Sequence, residues 1–154
     1  MQFFYLLISL LIVASDQALK FFIVNNYQLG ETHQVIPHVF SLTYIQNEGA
    51  AWNILPGQMG LFYLISAIAI VVCLYYLLRK NFNSKIFSSG VALVLGGIIG
   101  NLIDRIHLKY VIDMIQVEFI HFNIFNMADS AITIGIIMVF IYLLFLDESE
   151  KNNA

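Results

Sequence analysis

The stretch "FNMADSAITIGIIMVFIYLLFL", residues 125–146, decides the fold. From Ala128 onward it is apolar for about the 20 residues a helix needs to cross a bilayer, at roughly 1.5 Å of rise per residue. Yet Asp129 stands at its entrance. Working outward, three more stretches of similar length appear, giving expected spans at 3–24, 59–78, 86–106 and 128–146. The first is broken by "SDQALK", the third ends in "GNLIDR", and only the second lacks ionisable groups.

Composition agrees. Of 154 residues, 60% are hydrophobic and 11% charged, where soluble domains carry about 25% charged residues. A water-soluble chain of this size has no interior large enough for so much apolar surface. The expected fold class is an all-α polytopic membrane protein of four transmembrane helices, with a small extracytoplasmic β-containing cradle, forming one membrane domain over 1–154. A net charge of −3 and the lack of a Lys/Arg cluster argue against nucleic acid. Cys73 is single, so it makes no internal disulfide, and "MQFFYLLISLLIVAS" lacks the positive start of a cleaved signal peptide.

Basic residues orient the spans. The turn "RKNFNSK", 79–85, holds Arg79, Lys80 and Lys85; the 25–58 loop has no Lys or Arg, and the 107–127 loop has Lys109 alone. The 79–85 turn is therefore expected in the cytoplasm with both termini, and the acidic tail "DESEK" does not oppose this. The two longer loops face outward. In the first of them, the alternation of Val39, Ser41 and Thr43 with Phe40, Leu42 and Tyr44 suggests short strands lying on the membrane.

This topology sorts polar groups by depth. Asp16 and Lys20 fall in the outer half of span one, Asn101, Asp104 and Arg105 in the last turns of span three, and Asp129 at the outer start of span four. Ionisable groups near mid-membrane cost roughly 2.5–3.5 kcal/mol each on insertion scales, so they need partners or work. Asp16 with Lys20, and Asn101 with Arg105, are i,i+4 pairs on one helix face. They serve as interhelical ties, as substrate contacts, or as both. Gly96 and Gly100, with Gly97 between, suit close helix packing better than a phosphate loop.

Asp129 alone is explained by the helix dipole, with Asn126 as N-cap. Asp113, flanked by Val111, Ile112, Met114 and Ile115, is not. The segment between them is long enough to leave the membrane surface and return. Two carboxyls brought together share a proton, one serving as base towards water and the other as acid towards a carbonyl, which is aspartic-protease chemistry. No serine–histidine or cysteine–histidine arrangement competes. His33, His38, His107 and His121 match no metal-site spacing, so neither metal nor cofactor is expected. Trp52 and the tyrosines suit interface anchoring and packing. A proton-linked transporter is the alternative, and a membrane assembly subunit a third reading, but a transporter would spread its acids across the bilayer.

Five segments, "SDQALK" (15–20), "NEGAAW" (47–52), "GGIIGNLIDR" (96–105), "VIDMI" (111–115) and "FNMADSAI" (125–132), resemble the bacterial lipoprotein signal peptidases (type II signal peptidases) in order and spacing. Trp52 and Met114 stand where that family often has Phe. The resemblance implies an intramembrane aspartyl endopeptidase of the bacterial cytoplasmic membrane, with Asp113 and Asp129 catalytic. It also implies Asp16, Lys20, Asn47, Gly49, Asn101, Asp104, Arg105, Asn126 and Ala128 as supporting or substrate-site positions. The implied substrate is a prolipoprotein bearing a diacylglyceryl cysteine, cleaved on the amino side of that cysteine towards the outer leaflet. Membrane lipid and globomycin-type inhibitors are the other implied partners, and a monomer suffices.

Overall fold

A computed structural model describes residues 2–50, 53–79, 84–120 and 122–146; Trp52, Lys80, His121 and the "DESEK" tail lie outside the described residues. The element order is α1 (Gln2–Asn26), β1 (Thr32–Ile36), β2 (Phe40–Asn47), α2 (Met59–Leu78), α3 (Lys85–Leu108), β3 (Val111–Val117) and α4 (Met127–Ile141). A π-helical turn, Tyr142–Leu146, extends α4. The four long helices are each apolar enough to cross a membrane. Exposed Leu, Ile and Phe side chains on all four, such as Phe3, Ile68, Ile106 and Phe140, suit contact with lipid. Helices are the solution for such segments because hydrocarbon offers their backbone no other hydrogen-bond partner.

Helix α3 is the hub, packing against each of the other three. Its glycines explain how. A Cβ built on Gly96 would lie 2.8 Å from the Ser9 carbonyl oxygen of α1, and one on Gly97 would lie 2.4 Å from the Ala128 carbonyl oxygen of α4. Adjacent glycines therefore admit two helix backbones on two sides of α3. On α1, the buried residues Ser9, Asp16, Lys20 and Ile23 are spaced along one face. Ser9 Oγ donates to the Ala92 carbonyl at 2.8 Å.

The outer ends carry a three-stranded antiparallel sheet in the order β1-β2-β3. The strands expected in the first outer loop are present, and the second outer loop adds β3, which its local sequence pattern does not mark. One sheet face is apolar: Tyr44, Ile112 and Met114 bury with Ile23 at the outer end of α1. Ser41 and Thr43 lie on the polar side, where Ser41 Oγ donates to Glu118 and Thr43 Oγ1 donates to Gln116 Oε1 at 2.8 Å. A register shift between Leu42 and Ile45 pairs Ile45 with Asp113 and Asn47 with Val111. That shift brings Asn47 beside Asp113.

Candidate active site

Asp113 is carried into the bundle by the strand on which it sits. The Ile112 N–H donates to Asp104 Oδ2 of α3 at 3.0 Å, the Ile112 carbonyl accepts from Asn126 Nδ2 at 3.3 Å, and the Met114 N–H donates to the Phe125 carbonyl at 3.0 Å. With both strand edges engaged, Asp113 is 2% exposed. Asp129 arrives from the other side as the third residue of α4. Asn126 caps that helix reciprocally: the Asp129 N–H donates to Asn126 Oδ1 at 2.9 Å, and the Asn126 N–H donates to Asp129 Oδ2 at 3.3 Å. This is a capping box with Asp in the place of Glu.

The cap is also a bridge. Asn126 Nδ2 donates to Asp113 Oδ1 at 2.8 Å, so one asparagine holds both acids. Asn47 Nδ2 donates to Asp113 Oδ2 at 3.0 Å, and Asn101 Nδ2 donates to Asp129 Oδ1 at 2.8 Å. Both carboxyls line one cavity of ≈ 550 Å³, together with Asn47, Asn101, Arg105 and apolar residues of α4 and the 122–125 segment. Burial, and secondly the neighbouring Asp129 charge, push the Asp113 carboxyl up to about 7, against the pull of the Asn47 and Asn126 amides.

A second layer lies behind. Lys20 Nζ reaches Asp16 Oδ2 at 2.8 Å, Asp104 Oδ2 at 2.9 Å and Asn101 Oδ1 at 3.0 Å, which uses its three donors. Asp16 Oδ1 accepts the Ala128 N–H at 3.0 Å, tying α1 to the start of α4. Asp16, Lys20 and Asp104 do not line the cavity. Their geometry is that of ties, whereas Asn101 and Arg105 reach the cavity wall.

Arg105 Nη2 donates to the Gly49 carbonyl at 3.0 Å, and its guanidinium lies 4.7 Å from the Phe62 ring centroid. Among the described residues its Nε is the buried side-chain polar atom left without a partner. Gly49 also donates its N–H to Asn47 Oδ1 at 2.9 Å. A Cβ there would meet the Ile54 carbonyl oxygen at 2.6 Å, so this tight loop has no room for a side chain.

Sequence reasoning missed Gln17, whose Nε2 donates to Asp104 Oδ1 at 2.9 Å and to the Gly100 carbonyl at 3.2 Å. Its position beside Asp16 within a span was the available signal. Phe62, Tyr63 and the cavity-lining Phe122, Asn123, Phe125 and Thr133 were also missed, and nothing in their local pattern marks them. Among the described residues, no three His, Cys, Asp or Glu side chains are grouped as a metal site requires.

A family profile described as signal peptidase (SPase) II matches residues 8–145. The chain belongs to the signal peptidase II family. The peptidase is 61% identical over 149 residues to a protein of Lactobacillus gasseri named lipoprotein signal peptidase, covering 97% of both chains. It is 42% identical over 149 residues to the Bacillus subtilis protein of that name, covering 96% of both. Two solved structures described as bacterial membrane enzymes match it at 35% identity with TM-scores of 0.87 and 0.84. The matches cover 91% and 92% of this chain and 87% and 93% of the solved chains. It is thus a multi-pass membrane protease of a bacterial family, and the transporter alternative is left without support.

Proposed function

We propose that the protein is an aspartyl endopeptidase that removes signal peptides from prolipoproteins, with Asp113 and Asp129 as its catalytic pair. The observation that carries this is their meeting in one cavity, each from a different element, bridged by Asn126, whose side-chain NH₂ donates to Asp113 and whose backbone N–H donates to Asp129. A pair holding a single proton supplies a base for water and an acid for the carbonyl oxygen. Arg105, which lines the space the peptide would enter, keeps a buried Nε donor without a partner. The curated relatives' shared name supports a lipoprotein precursor as substrate.

The finer reading follows from the sequence resemblance. The precursor cysteine carries diacylglycerol, cleavage falls on its amino side, and both termini of the peptidase are cytoplasmic, as its basic inner turn favours. The site then faces the outer leaflet, where a doubly acylated substrate is anchored. Globomycin-type molecules are expected to compete for the cavity, and a monomer is sufficient for it. The test is cleavage of a synthetic diacylglyceryl precursor in detergent micelles by Asp113→Asn and Asp129→Asn. Each variant is expected to insert, fold and lose cleavage; near-parental cleavage by either overturns the pair.

A further inference from the structure

Three asparagines surround the two carboxyls, and none of their amides is free to turn over. Asn126 Oδ1 accepts the backbone N–H of Asp129 at 2.9 Å. Asn101 Oδ1 accepts from Lys20 Nζ at 3.0 Å, and Asn47 Oδ1 accepts the backbone N–H of Gly49 at 2.9 Å. Each of these partners is a donor only, so each amide oxygen is committed to it and each NH₂ group must face the opposite way. The opposite way is a carboxylate oxygen in every case: Asp113 Oδ1 for Asn126, Asp129 Oδ1 for Asn101, Asp113 Oδ2 for Asn47. No asparagine here can accept a proton from either acid.

The two acids differ in what else supports their charge. Asp129 sits in the first turn of α4, where the helix dipole favours an anion, and its Oδ2 accepts a backbone N–H as part of the cap. Asp113 also accepts two neutral N–H donors, from the Asn47 and Asn126 amides, but it is buried on a strand and not in the first turn of a helix. The charged groups around the pair are Arg105 of α3 at the cavity wall and, in the layer behind, Asp104 of α3 and Lys20 with Asp16 of α1, while β2 contributes the neutral Asn47.

We infer that Asn47, Asn101 and Asn126 are positioning residues that divide the labour of the pair: Asp113 holds the shared proton and acts as the acid, and Asp129 is the base. This rests on the aspartic reading proposed above and adds roles to it. In the first step a water proton passes to Asp129 while the water oxygen bonds to the scissile carbonyl carbon. The Asp113 proton passes to the carbonyl oxygen, leaving a neutral gem-diol. In the second step the C–N bond breaks, the amine leaves with the proton from Asp129, and a gem-diol hydroxyl returns its proton to Asp113. Both acids end as they began. The raised affinity of Asp113 for its proton is consistent with this division.

The experiment is the pH profile of kcat/KM on a synthetic diacylglyceryl precursor in micelles, for the parent and for Asn47→Ala, Asn47→Ser and Asn101→Ser, with thermal unfolding as a folding control. Deleting one hydrogen bond to a carboxylate shifts the corresponding limb by about 1 pH unit. Asn47 variants are expected to move only the alkaline limb upward, since they make loss of the acid's proton harder. Asn101→Ser is expected to move only the acid limb upward. Exchanged limbs reverse the roles, and two limbs moving together in each variant mean an undivided proton; either result overturns the inference, as does an unmoved profile. The serine substitution at position 47 keeps the test available should alanine there fail to fold. Cleavage retained by Asp113→Asn or Asp129→Asn is a different failure, that of the pair itself.

Discussion

Replacing Asp113 with asparagine should make the protein more stable at alkaline pH while removing its activity. In the folded chain the carboxyl titrates at about 7 rather than 3.8, because it is buried and faces Asp129. Between those values the folded state holds a proton that the unfolded state has released. Stability from this group is therefore complete below about 3.8 and is lost as pH rises through about 7. At about 1.36 kcal/mol per pH unit, the interval corresponds to ~4 kcal/mol. Asp113→Asn removes that slope. It also carries a cost at every pH, because Asn47 and Asn126 both donate to position 113 and an amide there has one oxygen to accept them. The mismatch costs about 1–3 kcal/mol. The difference between variant and parent is thus expected to change sign, negative near pH 4.5 and positive near pH 8.5. For a chain of this size each kcal/mol moves the unfolding temperature by about 2–4 °C, which puts the swing at roughly 10 °C in thermal unfolding followed in detergent. A difference that stays constant across that pH range would refute the argument, because it would mean that Asp113 titrates alike in the folded and unfolded chain.

Other perturbations separate scaffold from chemistry. Lys20→Met leaves Asp16 and Asp104 buried without their common cation, and is expected to destabilise by about 3–5 kcal/mol, read as loss of folded protein in detergent extracts. Gly97→Ala places a methyl group 2.4 Å from the Ala128 carbonyl oxygen, so α3 and α4 must part at a cost of about 1–3 kcal/mol. Cleavage should fall with it, because Asn101 and Asp129 sit on the two separated helices; unchanged thermal stability and cleavage would contradict the packing described. Asn126→Ala removes a helix cap worth about 1 kcal/mol, but it also removes the bridge between the acids. Its kcat should therefore drop far more than its stability, with KM changed little.

The parts of this structure legible in sequence are those in which the solvent dictates the answer. Four helices follow from hydropathy because lipid leaves an apolar span of about 20 residues no other way to satisfy its backbone. Asn126 was readable as a cap, since a short polar side chain before an apolar helix with an acid three residues on is a local pattern. Strand β3 was not readable. Its partner β2 lies in a different loop, and "VIDMIQV" alternates only weakly because its first four residues are all buried, Asp113 included. The same non-local pairing hid the contact of Asn47 with Asp113, 66 residues apart in the chain. Asn101 and Arg105 share a helix face and both line the cavity, but their partners were not readable from that spacing: Asn101 turns towards Lys20 and the acids, whereas Arg105 reaches the Gly49 loop and the Phe62 ring.

The two layers of polar groups depend on one another in a definite order. Lys20 neutralises one of the two buried acids behind the cavity, and its third donor commits the oxygen of Asn101. Asn101 can then present only its NH₂ to Asp129. Asp104, held by the same lysine, fixes the backbone of Ile112 and with it the residue that follows, Asp113. Asp16 fixes the Ala128 N–H and so the first turn of α4, on which Asp129 rides. Each acid at the cavity is thus placed by an acid behind it, and a single lysine joins the two arrangements. In water such a cluster would be loosened by solvent competing for every bond. Packed between helices, where water is scarce, the bonds are stronger and a missing partner is costlier. That is why a set of side chains that never lines the cavity can still decide the geometry of the pair that does.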